Sequence, residues 1–162
     1  MRIFTLMLAA LGLLACSQTR GPEPKAPATP EEAAQATADQ RLEESLTGFE
    51  QATLSHDKRA FMDLVDADYK KVEHDGFFQG VTDNFLNNFF CGQVPGTDQQ
   101  YCVLFDEISE IRRVELEKGK GSHKITYRVK TPKREIDSRH NLVVERDGLV
   151  GFIGSRGVTQ VE

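Results

Sequence analysis

The sequence predicts an α+β domain in which N-terminal helices pack on one side of a curved antiparallel sheet of four or more strands. Three observations predict it. Leu42, Leu46, Phe49 and Thr53 recur at helical steps of three and four. His123, Ile125, Tyr127 and Val129 alternate with Lys124, Thr126, Arg128 and Lys130, the period of a half-buried strand. Asp147-Gly148 between apolar residues is a two-residue hairpin signal. Helices therefore come first and strands follow, which separates the two kinds of element into layers. The chain has 162 residues with 39% hydrophobic and 28% charged, enough for one core and hardly for two. A net charge of -5 excludes a general nucleic-acid binder.

The N-terminus comes first in order. Arg2 precedes an apolar run, Ile3 to Ala15, interrupted only by Thr5 and Gly12. The run is shorter than the roughly 18 residues a membrane span needs, and it fits the apolar region of an export signal. It ends Leu13-Leu14-Ala15-Cys16, which resembles the lipobox of bacterial lipoproteins. The resemblance implies cleavage after residue 15, a diacylglycerol on the Cys16 thiol and acylation (palmitate-type) of its new amine. Several chains anchor stably where one does not, since each buried methylene adds about 0.8 kcal/mol. Ser17 rather than Asp follows, which in Gram-negative lipoproteins implies the outer membrane, facing the periplasm. Losing residues 1–15 takes the net charge to -6, so attachment rests on the lipid rather than on anionic headgroups.

Residues 16–38 read as a lipidated cysteine and a disordered tether. The stretch holds Pro22, Pro24, Pro27 and Pro30 and no large apolar side chain, so it has no area to bury against its chain entropy. The folded domain is then 39–162, with the Ala-rich residues from Glu31 fraying into the first helix.

After the first helix, Ser55 or Asp57 is placed to cap a second one carrying Phe61, Leu64 and Val65. Residues 69–79 read as extended or looped, with His74-Asp75-Gly76 as a turn. Thr82 is placed to cap a third helix that puts Phe85, Leu86, Phe89 and Phe90 on one side. The spacing predicts a strand over 107–117, a turn at Lys118-Gly119-Lys120-Gly121, the 123–130 strand, and a turn at Thr131-Pro132-Lys133. A strand sharing the parity of His140, Leu142 and Val144 and a last strand from Leu149 to Ser155 complete a meander.

This order resembles the cone-shaped superfamily of nuclear transport factor 2, ketosteroid isomerase and SnoaL-like proteins. The resemblance is carried by Phe61 to Tyr69, by Asp75-Gly76-Phe77-Phe78-Gln79-Gly80 before the helix Val81 to Phe90, and by the closing hairpin Val143 to Val150. It spans nearly all of 40–156. The long 91–106 loop and the absence of Trp depart from it, and another helix-on-sheet arrangement such as a cystatin-like one stays open. The resemblance implies a conical pocket. It makes Asp68, His123 and His140 candidate bases, and Tyr69, Phe89 and Tyr127 candidate pocket residues. It also implies that Lys124, Arg128 and Lys130, on the face away from the helices, meet a partner or a second copy. His74 reads as a turn residue.

Cys91 and Cys102 remain after Cys16 is assigned to lipid. Outside the cytoplasm such a pair is expected to bridge. The competing reading is a metal ligand or nucleophile, which no Cys-x-x-Cys or nearby His supports. Residues 112–139 carry +6 and residues 39–75 carry -5, so the strands suit an acidic protein partner, glycan or headgroup, or form a solvated face. No phosphate loop, His-Glu-x-x-His or Gly-x-Ser-x-Gly motif is present, and no cofactor or metal is expected. Together these features point to a lipid-anchored envelope protein that binds a protein partner or small ligand. The alternatives are a pocket enzyme of isomerase or dehydratase type and an accessory, immunity or exclusion lipoprotein.

Overall fold

The computed structural model describes residues 29–144 and 149–161. Cys16, the export signal, most of the predicted tether and the Asp147-Gly148 turn lie outside the described residues. The first helix, α1 (Pro30–Leu54), begins ahead of residue 39 because its N-terminus is well capped. The Thr29 hydroxyl accepts from the Glu32 amide, the Glu32 carboxylate accepts from the Thr29 amide, and Pro30 occupies the first turn. Only from Leu42 onward does α1 bury a stripe, through Leu46, Phe49, Ala52 and Thr53.

His56, with φ 54°, turns the chain into α2 (Lys58–Leu64), which Asp57 caps. Asp66 caps α3 (Ala67–Lys70) in the same way. Residues 69–79 are not extended as the sequence suggested. The chain continues as a π-helical turn, Lys71–Phe77, and closes through Phe78 N–H to the Glu73 carbonyl and Gly80 N–H to the His74 carbonyl. Gly76 is absorbed inside the wide turn, and the reversal comes at Gln79 and Gly80, both left-handed. In α4 (Thr82–Phe89) the cap position belongs to Val81, not to Thr82, whose hydroxyl bonds His74 instead.

Cys91 and Cys102 form a disulfide that closes a small ribbon, β1 (Gly92–Gln93) with β2 (Gln100–Tyr101). A 3-10 turn, Phe105–Glu107, leads to the main sheet: β3 (Glu110–Lys118), β4 (Ser122–Lys130), β5 (Glu135–Val144), β6 (Val150–Phe152) and β7 (Gly157–Gln160). All its strand pairs are antiparallel. The order is β3-β4-β5, and β6 and β7 share the far edge of β5.

The strand predicted over 149–155 ends at Phe152, and β7 is a further strand beyond that span. Ile153 and Arg156 still bond the Asn141 and Arg139 carbonyls, but the residues between them leave the ladder. Tyr69 takes the space: a Cβ on Gly154 would overlap its hydroxyl.

A bulge at Val114 shifts the β3–β4 register. Before it Ile111 and Arg113 face α1, and after it Leu116 and Lys118 do, because one extra residue reverses the parity. The layer between helices and sheet is aromatic. Phe49 stacks on Phe152 with centroids 4.0 Å apart, and Phe61, Phe85, Phe89, Phe90 and Phe105 are all buried around them. Burying each contributes about 2–3 kcal/mol.

Candidate functional site

Two places carry the residues that the sequence singled out. The first is the interior. His140 shares an inward row of β5 with Ile136, Ser138 and Leu142 and is 1% exposed. Its Nδ1 lies 3.0 Å from the Ile153 carbonyl, which can only accept, so Nδ1 carries the proton. Nε2 then accepts from the Ser138 hydroxyl at 2.9 Å. Both ring nitrogens are used, Phe89 stacks on the ring at 5.4 Å, and burial pushes its pKa down to about 4. His140 is a neutral core histidine.

Tyr127 lies 6.3 Å from that ring, fully buried, its hydroxyl beside the Glu50 carboxylate without a well-formed hydrogen bond among the described residues. Burial first, and then the Glu50 charge, raises the Tyr127 pKa. Phe89 is core. Tyr69 packs against Phe85 and Phe89 with its pKa raised by burial, and Asp68 is exposed in the first turn of α3. The fold therefore brings His140, Tyr127, Phe89 and Tyr69 together, but as packing, and it separates them from Asp68.

The second place is a cleft of about 370 Å³ between the first turns of α1 and the tip of the β3–β4 hairpin. Leu42, Val144 and Val150 supply an apolar floor, and Ala38 lies along one side. Asp39 and Lys118 form one wall, paired at 2.8 Å; the lysine's hydrogen bond holds the Asp39 carboxyl below its ordinary range. His123 forms the other wall. Its Nδ1 accepts the Gly119 amide proton at 3.2 Å, leaving Nε2 as the donor. Burial, and then the Lys118 charge, lowers its pKa, so it is neutral at pH 7. Lys120 stands at the rim without an ion pair among the described residues. The arrangement offers an apolar body site, a neutral N–H donor and a cation.

On the opposite face of the sheet the predicted cations sit among acids. Lys124 pairs with Glu117 at 3.2 Å, Arg128 grips Asp137 through two bonds of 2.8 and 2.9 Å, and Lys130 lies in register between Glu110 and Glu135. Glu117, Glu135 and Asp137 from the segment, with Glu110, interleave with these cations, so the face carries both signs.

Two groupings were missed. Arg113, turned inward by the bulge, binds Glu50 and reaches Glu43 and Thr47 on α1. A bulge leaves no signature in the sequence here. The other runs Asp75, His74, Thr82: Nδ1 of His74 donates to Asp75 at 2.6 Å, and Nε2 lies 3.1 Å from the Thr82 hydroxyl. Reading 69–79 as a loop hid it. Among the described residues no group of three His, Cys, Asp or Glu could hold a metal ion, and no helix is long and apolar enough to cross a membrane.

No known protein-family profile matches the chain, and no curated protein does. Among solved structures it is similar to an NTF-2-like protein of unknown function from Burkholderia xenovorans, at 11% identity and a TM-score of 0.40. The match covers 74% of this chain and 87% of that one. A likeness this distant carries no argument about function.

Proposed function

We propose that this chain is a lipid-anchored envelope protein whose folded domain binds and does not catalyse. The anchoring rests on the Cys16 motif. The binding reading rests on one observation: the interior is filled by aromatic side chains around a histidine whose two nitrogens are both satisfied. Proton transfer there, of the isomerase or dehydratase kind, has neither a free base nor room for substrate. The open chemistry lies in the cleft, whose floor and rim fit a small ligand with an apolar body and an anionic end.

The test is affinity recovery of the lipidated protein from solubilised envelopes, with protein and small-molecule mass spectrometry on the eluate. A retained small molecule that Ala38→Trp or Lys120→Glu abolishes supports the cleft. A stoichiometric protein lost on reversing Lys124, Arg128 and Lys130 moves binding to the sheet face, where an immunity or accessory role belongs. Recovery of neither rejects the proposal.

A second reading, catalysis by an activated hydroxyl, is favoured by the Asp75–His74–Thr82 relay. Hydrolysis of a p-nitrophenyl ester that His74→Gln abolishes would support it; a rate equal to buffer rejects it.

A further inference from the structure

We propose that the π-helical turn seats the domain on the lipid surface that holds its anchor; this inference rests on the lipid-anchor reading. Phe77 is 76% exposed, Val72 66% and Val81 46%. Val72 and Phe77 are five residues apart, the spacing that a π-turn stacks on one side. Their exposure is built in. The turn is closed by the bonds of Phe78 and Gly80 to Glu73 and His74, and His74 ties it to Thr82 at the start of α4. The Phe77 ring is braced edge-on by Phe78 at 4.9 Å.

The chain outside the described structure says what covers the patch. From Cys16 to Thr29 it spans at most about 45 Å. The domain is thus confined to a layer roughly as deep as itself, at an effective concentration on the order of millimolar toward the bilayer. Under that confinement a few apolar side chains suffice for contact, in the manner of an interfacial element. Charge selects the lipid. Asp68, Glu73 and Asp75 outnumber Lys70 and Lys71 along the turn, so the patch fits a zwitterionic surface and is repelled by an anionic one.

The chain contains no Trp, so Phe77→Trp makes a single reporter at an exposed aromatic position. The lipidated protein is reconstituted in phosphatidylcholine vesicles with and without brominated lipid. Val114→Trp, 48% exposed at the β3 bulge, is the control. Emission of the Phe77→Trp protein should shift to the blue and lose about half its intensity to the bromines, that of the control should not, and adding phosphatidylglycerol should weaken the quenching. Unquenched emission from the Phe77→Trp protein on vesicles that carry it overturns the inference. So does a blue shift that appears without lipid and grows with protein concentration, which indicates a second copy. If the protein does not float with vesicles, it is the acyl anchor that has failed. The same measurement, with a hexahistidine tag before Ser17 on nickel-chelating lipid, then decides the seating by the same criteria.

Discussion

Acidification tests the interior directly. The ordinary histidine pKa is 6.5, and burial brings that of His140 to about 4. Between these values the unfolded chain binds a proton that the native state does not. Stability therefore rises with pH across that window and is lost as pH falls through it. A displacement of about 2.5 units corresponds to about 3 kcal/mol. The clean comparison is urea unfolding of the disulfide-intact domain and of His140→Leu, each at a series of pH values from 7 to 4. The substitution leaves the Ser138 hydroxyl and the Ile153 carbonyl without their partner, so it lowers stability at pH 7 by about 1–3 kcal/mol. It also removes the proton linkage. The wild type should lose about 3 kcal/mol more than the variant between pH 6.5 and 4, the other titrating groups cancelling in the difference. Parallel curves would refute the reasoning, for they would mean that the folded protein protonates His140 as readily as the unfolded chain does.

Gly154→Ala should lower the melting temperature, because its Cβ would overlap the Tyr69 hydroxyl; Tyr69→Phe in the same chain should restore part of the loss, and no restoration would place the strain elsewhere. Replacing Cys91 and Cys102 by Ser should reduce unfolding free energy by about 3 kcal/mol in the chain-entropy description, read by denaturant titration with and without reductant. Arg113→Met should cost about 1–3 kcal/mol, since Glu50 would remain partly buried without its cation; an unchanged midpoint would show that the α1–β3 bridges are solvated. Cys16→Ser should leave the protein in the soluble fraction on envelope fractionation, and full retention in the membrane fraction would remove the anchoring claim.

Local pattern carries information about an element only where one face is buried and the period is unbroken. The 122–130 strand shows this well. Its alternation predicted that Ile125, Tyr127 and Val129 face the helices, and they do. The Val114 bulge breaks the same logic one strand earlier. Counting by twos across it puts Glu115 and Glu117 inward, whereas the register puts Leu116 and Lys118 there. Residues 69–79 failed for another reason. Gly76 and its acidic neighbour are turn formers in isolation, and the docking of Tyr69 and Phe78 against Phe85, with the His74–Thr82 bond, holds them in a helical turn. The 30–38 stretch holds no large apolar residue and so read as tether, yet a capping box makes it helix, and Asp39 just beyond it bonds Lys118 of the β3–β4 hairpin.

The candidate site divides along the same line. His123, His140 and Tyr127 were legible because polar residues on an apolar parity stand out in a sequence, whereas Tyr69 entered only through the resemblance. Which of them faces solvent was not, since burial depends on what the helices place above each strand. The helices seal His140 under Phe89 and Phe90 and leave His123 at an open end beside Asp39.

By itself the sequence determined the layer order, the pairing expected of Cys91 and Cys102, and the motif at Cys16. Each depends on residues close in the chain or on the count of a rare residue type. Tertiary structure alone decided that the interior is filled, that Arg113 turns inward to α1, and that Phe77 is held out in solvent on a braced turn. Those outcomes depend on side chains far apart in sequence competing for the same volume, and no local period records that competition.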